Sequence, residues 1–434
     1  MNRVKTHRQL GIRFLTSAIA LSLVFGCATV AVAQQQSVEE LLTQADEVLQ
    51  QMSQITGLAI KGQLNKRVVN RQQVATYIIQ HLHEEMTPAE IHTQESLVRA
   101  FGLVPRDFNL ERFLVKFYTE QAAGFYDPKR KTMFIADWVP PEMQAMTLSH
   151  ELTHALQDQN WDLDGYMHGA RSDDDASAAR QAVVEGYATA AMLQQAAGGM
   201  ELAQLPELGP LLETLTSSQL AESPELASAP QFFRTEVLFP YVHGMGFIQA
   251  GLRQGSWKDL NVLIQHPPLS TKQIFDPRVY FNHQSLPTVA LPNPPALDGV
   301  SGLRFLTGNS MGELGYYALV GQLISEEEAK SVGMAWLADH YLLYERSGGD
   351  YYTLVARTRW TSPAQAQAFF RDYHLILANK YSDLTTSKSS GPDQFIGSAS
   401  NGAVFLLRKD DECVWAEGVP AAKSEMMLEW LRAL

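Results

Sequence analysis

Residues 143–158 read Met143-Gln144-Ala145-Met146-Thr147-Leu148-Ser149-His150-Glu151-Leu152-Thr153-His154-Ala155-Leu156-Gln157-Asp158, and the His-Glu-x-x-His pattern inside them governs the reading of the whole chain. On a helix, residues four apart lie one turn above each other, so His150 and His154 leave the same face and can share one metal ion. Glu151, one position along, stands beside that ion rather than on it, where a carboxylate can take a proton from a bound water. Local signals favour the helix. Pro140-Pro141 opens it, Glu142 suits its positive end, and no Gly or Pro interrupts before Asp158. Leu148, Leu152 and Ala155 form a separate apolar stripe that can be buried while the histidines face a cleft.

Upstream, Gly124 to Ala136 reads as a hairpin: Phe125-Tyr126 and Thr132 to Ile135 are strand-like, with turn chemistry at Asp127-Pro128-Lys129 between them. A hairpin entering the metal helix offers a sheet edge on which an extended peptide can dock by main-chain hydrogen bonds. Downstream, Ser172-Asp173-Asp174-Asp175 precedes a helix from Ala176 to Ala197 that ends at Gly198-Gly199. The acidic run is first a cap and dipole partner for that helix, and second a metal contact. Glu185 lies mid-helix on a face with Ala178, Ala182, Thr189 and Met192, small enough on one side to let this helix approach the metal helix. A catalytic zinc needs three protein ligands, so either Glu185 or one of Asp173 to Asp175 must complete the pair of histidines.

Before the hairpin, Ser37 to Met52, Asn70 to His83 and Leu110 to Gln121 carry helical periodicity, and His81, His83 and His92 read as a solvated face. After residue 200, a Leu-, Ser- and Pro-rich connection leads to Phe239-Pro240-Tyr241-Val242-His243 and a further helix. The proline-rich stretch Leu286 to Leu297 marks a domain boundary. Beyond Gly299, Ser325 caps a helix expected to run through Leu337, Tyr351 to Trp360 is strand-like, and Ser362-Pro363 starts a helix to about Tyr381. Residues 383–401 read as a polar linker, followed by a hairpin over Val404 to Trp415 and a short closing helix. The divisions are therefore a signal peptide over 1–33, a helical region over 34–123, a catalytic region over 124–285 and an α/β region over 299–434, in an α+β, mostly helical chain.

The N-terminus points to export. Arg3, Lys5, Arg8 and Arg13 precede an apolar run from Phe14 to Phe25, and Ala31-Val32-Ala33 offers cleavage before Gln34. The run is shorter than the ~20 residues a spanning helix needs, so no stable membrane span is expected after cleavage. Lipid anchoring at Cys27 is the less favoured alternative, because Phe25 fits a lipoprotein signal poorly. The expected location is periplasmic or extracellular. The chain carries 34 Lys and Arg against 47 Asp and Glu, a net charge of −13, and the four basic leader residues make the remainder more acidic. That surface argues against nucleic acid or anionic membrane as partners. Cleavage leaves only Cys413, which excludes an internal disulfide and a zinc–thiolate cluster, leaving His and carboxylate ligands.

The metal helix resembles that of thermolysin-type zinc metallopeptidases, the gluzincin branch of the zincins, over about 20 residues. Gly124-Phe-Tyr-Asp-Pro, His150 to Gln159, Glu185-Gly-Tyr-Ala, Phe239-Pro-Tyr and Pro267-Pro-Leu-Ser-Thr resemble landmarks of a group of bacterial zincin-like peptidases. The resemblance implies His150, His154 and Glu185 as ligands of one zinc ion, Glu151 as general base and Asp158 as the acid that follows the motif. It also implies an oxyanion-stabilising Tyr or His from a later segment, for which Tyr241 and His243 are the candidates. Two positions depart from the pattern: Tyr187 and Thr189 stand where these families carry an acid that orients a zinc histidine, so that acid is expected from elsewhere, Asp158 or Asp173 to Asp175. The function implied is hydrolysis of peptide bonds in a peptide or protein substrate. The alternative is a metal-binding or interaction module of the cell envelope that has lost turnover. The sequence leaves the substrate, the activation step and the oligomeric state open.

Overall fold

A computed structural model describes residues 38–138, 141–220, 224–348 and 351–434; the expected leader with its Ala33 cleavage site and Cys27, and Pro140 at the head of the metal helix, lie outside them. The chain is α+β, as its patterning predicts, and contains two sheets. No helix among the described residues is long and apolar enough to cross a membrane.

Short polar residues start helices where expected. Asn70 accepts the Gln73 amide (3.0 Å) while the Gln73 side chain takes the Asn70 N–H (2.9 Å), closing a capping box at the head of Arg71–Glu85. Ser325 and Ser362 cap through the amides of Glu328 (3.1 Å) and Gln365 (3.3 Å). The Ser325 helix, however, stops at Ser331, because Trp336–Arg346 forms a strand. Pairing on both sides of that strand overrides its local helical periodicity.

The small sheet comprises β1 (Asn65–Val69), β2 (Gly124–Asp127) and β3 (Thr132–Ala136) in the order β1-β3-β2, with β1 parallel and β2 antiparallel to β3. The expected hairpin is therefore present. The region over 34–123 is not all helical, since its Asn-Lys-Arg-Val-Val segment supplies β1, where only two apolar residues betray a strand. The second sheet is antiparallel throughout. In chain order it holds β4 (Leu303–Asn309), β5 (Trp336–Arg346), β6 (Tyr352–Trp360), β7 (Thr385–Thr386), β8 (Gln394–Ala399), β9 (Gly402–Lys409) and β10 (Glu412–Val419). Its spatial order is β4-β5-β6-β10-β9-β8-β7. Residues 383–401, expected as a linker, contain β7 and β8. Their polar, edge-of-sheet composition gives no hydrophobic alternation to read.

The helix Pro363–Lys380 covers one face of that sheet through Phe369, Tyr373 and Leu377, and Ser424–Ala433 covers the other through Met427 and Leu431. The first of these cores is continuous with the helices that precede the hairpin. Ile78, Leu97 and Phe101 join Tyr341, Trp360 and Trp415, and the Phe101 and Tyr341 rings meet edge-on at 5.7 Å. The boundary over 286–297 thus divides the sequence without dividing the hydrophobic core.

A second core lies under the metal helix, Pro141–Trp161, where Leu148, Leu152, Ala155 and Leu156 are fully buried. Two further helices complete it, the carboxylate helix Asp174–Ala196 and the helix Gln231–Leu252 that carries Tyr241. They cross with backbones in contact. A Cβ at Gly186 would lie 2.2 Å from the Gly244 carbonyl carbon, and one at Gly244 would lie 2.2 Å from the Ala182 carbonyl oxygen. Only glycine fits, so the pair fixes how closely Glu185 and Tyr241 are held together. Gly186→Ala is expected to destabilise the fold by roughly 3 kcal/mol, at the upper end of overpacking costs, measured by denaturant unfolding.

Candidate metal centre

Three side chains from two helices converge. His150 and His154 project from one face of the metal helix, and Glu185 reaches them from the carboxylate helix. The two Nε2 atoms are 3.0 Å apart, and Glu185 Oε2 lies 3.1 Å from His150 Nε2 and 3.3 Å from His154 Nε2. Donors bonded at 2.0–2.1 Å to a tetrahedral ion stand roughly 3.3–3.4 Å apart, so this nitrogen-nitrogen-oxygen set needs to open only slightly to hold one. The three residues are 2, 2 and 5% exposed. Burial opposes charge on both His154 and Glu185, but the mutual attraction of the pair wins, raising the imidazole and lowering the carboxyl. His150 shifts the other way, kept neutral by burial and by repulsion from His154. A divalent cation would replace the proton that His154 carries.

Glu151 is fully buried and does not join the donor set. Its Oε2 accepts the backbone N–H of Tyr126 at 2.9 Å, which fixes the carboxylate against the edge strand β2. Gly124 makes this approach feasible, because a Cβ there would lie 2.8 Å from Thr147 Cγ2 on the metal helix. The hairpin does bring a sheet edge to the site, but its Tyr126 amide is engaged by Glu151 rather than left for a docked peptide. The turn itself is held by Asp127, whose carboxylate accepts the Arg130 amide (2.9 Å), the Arg130 guanidinium (2.7 Å) and the Tyr77 hydroxyl (2.8 Å).

The residue that orients His154 is one the sequence did not single out. Gln157 Oε1 accepts from His154 Nδ1 at 2.7 Å, while Gln157 Nε2 donates to the Val184 carbonyl at 3.0 Å. The donation settles which way the amide points, so Nδ1 carries a proton and Nε2 is the nitrogen that would face a metal ion. Because Val184 precedes Glu185, this one side chain also ties the two ligand-bearing helices together. The only available signal was its position three residues after His154. Gln157→Ala is expected to weaken metal binding roughly 10–100-fold, read by competition with a chromogenic chelator.

Asp158 does not take that role. It accepts the Tyr126 hydroxyl (2.7 Å), the Lys131 ammonium (2.7 Å) and the Leu163 amide (3.3 Å), and so braces the hairpin against the metal helix. Nor do the acids at the head of the carboxylate helix. Asp173 caps it through the Ala176 amide (3.0 Å), and Asp175 accepts the Thr271 amide at 2.8 Å. Tyr187 packs edge-on between Trp161 and Trp257, both at 4.8 Å, and Thr189 is buried with its hydroxyl unpaired among the described residues. Cys413 is buried in β10 with its thiol on the Ala366 carbonyl (3.3 Å).

Tyr241 reaches the cluster and His243 does not. The Tyr241 ring lies 5.9 Å from that of His150, tilted by 30°. Two residues further along a helix is more than half a turn, so His243 points away and packs on Phe239 and Phe275, lining a separate cavity. A tyrosine that sequence reading passed over, Tyr118, feels the Glu185 charge: burial and that carboxylate raise its phenol above the ordinary range. Of the three histidines expected on a solvated face, His83 pairs with Glu111 (3.0 Å) and His92 with Glu345 (2.6 Å), but His81 is buried and stacks on Tyr77 at 5.7 Å. A second group of donors, Glu85, Asp164 and His168, is met by an ion pair from Lys129 to Glu85.

No curated protein and no solved structure matches the chain. Residues 304–427 match the family model of a domain of unknown function (DUF8575), which takes in nearly all of the seven-stranded sheet and none of the cluster residues.

Proposed function

We propose that the chain is an exported zinc-dependent peptidase whose centre is His150, His154 and Glu185. The observation that carries the reading is the two-histidine, one-carboxylate set close to tetrahedral spacing, with a second carboxylate, Glu151, immobilised beside it. The donor types and their separations fit zinc. Bound there, zinc supplies the Lewis acid that polarises a water molecule and a substrate carbonyl. The chain's own residues do the rest. Glu151 takes the water's proton and returns it to the leaving amine, Gln157 and Glu185 keep the imidazoles in register, and burial excludes bulk solvent. Tyr241, from a later segment, donates to the developing oxyanion, a role supported by its ring lying 5.9 Å from that of His150. Tyr241→Phe is expected to lower turnover roughly 10–10³-fold with thermal stability unchanged, measured by steady-state assay and calorimetry.

A second reading rests on burial. All four central residues are almost sealed, and the orienting acids of the resembling families are absent at Tyr187 and Thr189, which suits a metal-binding module without turnover. Incubating the mature chain with an unfolded protein separates the two. Cleavage that a chelator abolishes and zinc restores supports the peptidase; stoichiometric zinc with no cleavage supports the module.

A further inference from the structure

The helix that carries Tyr241 to the metal centre carries His243 to its opposite side, into a cavity of about 480 Å³. That size is in the range of small-molecule sites, roughly 300–1,000 Å³. The cavity lies where two parts of the chain meet: Thr235, Leu238, Phe239 and Val242 form one wall, and Tyr317, Gly321 and Ala329 from beyond residue 304 form the other. Four rings run continuously along it. Phe239 and His243 are 5.3 Å apart, His243 and Phe275 4.6 Å, and Phe275 and Tyr317 5.4 Å.

His243 makes no hydrogen bond among the described residues, and its ring nitrogens are not among the sealed polar atoms of the interior. An imidazole inside a protein ordinarily finds a partner; this one keeps a donor and an acceptor open to the cavity. We infer that this cavity is a second ligand site, separate from the metal centre, for a small uncharged aromatic molecule bearing one hydroxyl or N–H group. The ring wall suits a flat apolar body stacked or set edge-on, and His243, seated among those rings, supplies a directional contact to its polar group. Burial lowers the imidazole to about 4, so it meets its ligand neutral. Two acids, Glu213 and Glu326, and two bases, Arg234 and Lys330, line the cavity and balance, so nothing selects for a charged ligand. Arg234 is further committed to the Ala227 and Ala229 carbonyls, at 3.0 and 2.8 Å.

Phenol is the probe, with benzoate as its charged counterpart, and the full mature chain labelled with ¹⁵N-histidine is the sample. Phenol at millimolar concentration is expected to shift one histidine signal saturably, and that signal is the one missing from His243→Phe. Phenol affinity should fall roughly three- to tenfold in His243→Phe, which keeps the ring and loses the hydrogen bond, and recover in His243→Gln. Benzoate should leave the signal in place, and His150→Ala should bind phenol as the parent does. The inference is overturned if no histidine signal saturates with phenol, if His243→Phe binds phenol undiminished, or if benzoate binds equally well. Phenol binding that vanishes in His150→Ala would place the probe at the metal centre and overturn it too. Since none of these readouts is catalysis, the peptidase reading and this one stand or fall separately.

Discussion

Glu151→Gln is expected to keep its fold and its metal while peptide-bond hydrolysis falls roughly 10²–10⁴-fold. Glutamine preserves the shape and can still accept the Tyr126 amide that now bonds Glu151 Oε2 at 2.9 Å, so the loss isolates the proton-accepting role. The loss should fall on kcat, with metal content by elemental analysis unchanged, because Glu151 stands outside the donor set. Turnover that survives the substitution would remove Glu151 as the base, and with it the mechanism.

The second large effect is Glu185→Ala. Glu185 Oε2 is within 3.3 Å of both Nε2 atoms, so its removal leaves two imidazoles and one too few protein donors for a catalytic zinc. Zinc should be lost at stoichiometric concentrations, as judged by elemental analysis after desalting. None of Asp173 to Asp175 joins the donor group, and capping and the Thr271 amide already hold Asp173 and Asp175. Full occupancy at parental affinity in Glu185→Ala would take that carboxylate out of the site.

The parts of this site legible in the sequence share one property: they depend on spacing along a single element. His150, Glu151 and His154 follow from helical period alone, and the hairpin from its turn residues. Glu185 could be proposed because small residues flank it, but the contact that delivers it, Gly186 against Gly244, joins positions 58 residues apart and has no local signature. Asp158 shows the same limit in reverse. Its place after the motif suggested an orienting carboxylate, whereas the hairpin brings Tyr126 and Lys131 to it and leaves the histidine to Gln157. His243 was grouped with Tyr241 by proximity in sequence, although two steps along a helix separate their directions. In the C-terminal region, the helical periodicity after Ser325 runs on into Trp336 and Leu337, the first two residues of the strand Trp336–Arg346, because strand pairing on both edges, not local pattern, decides their state.

X-ray absorption at the zinc edge on the protein loaded with one equivalent of zinc tests the metal centre most directly. Two imidazole nitrogens and carboxylate oxygen are expected at roughly 2.0–2.2 Å, with one of the imidazoles lost in His154→Ala. An all-oxygen shell, or a spectrum unchanged by His154→Ala, would contradict this ligand set.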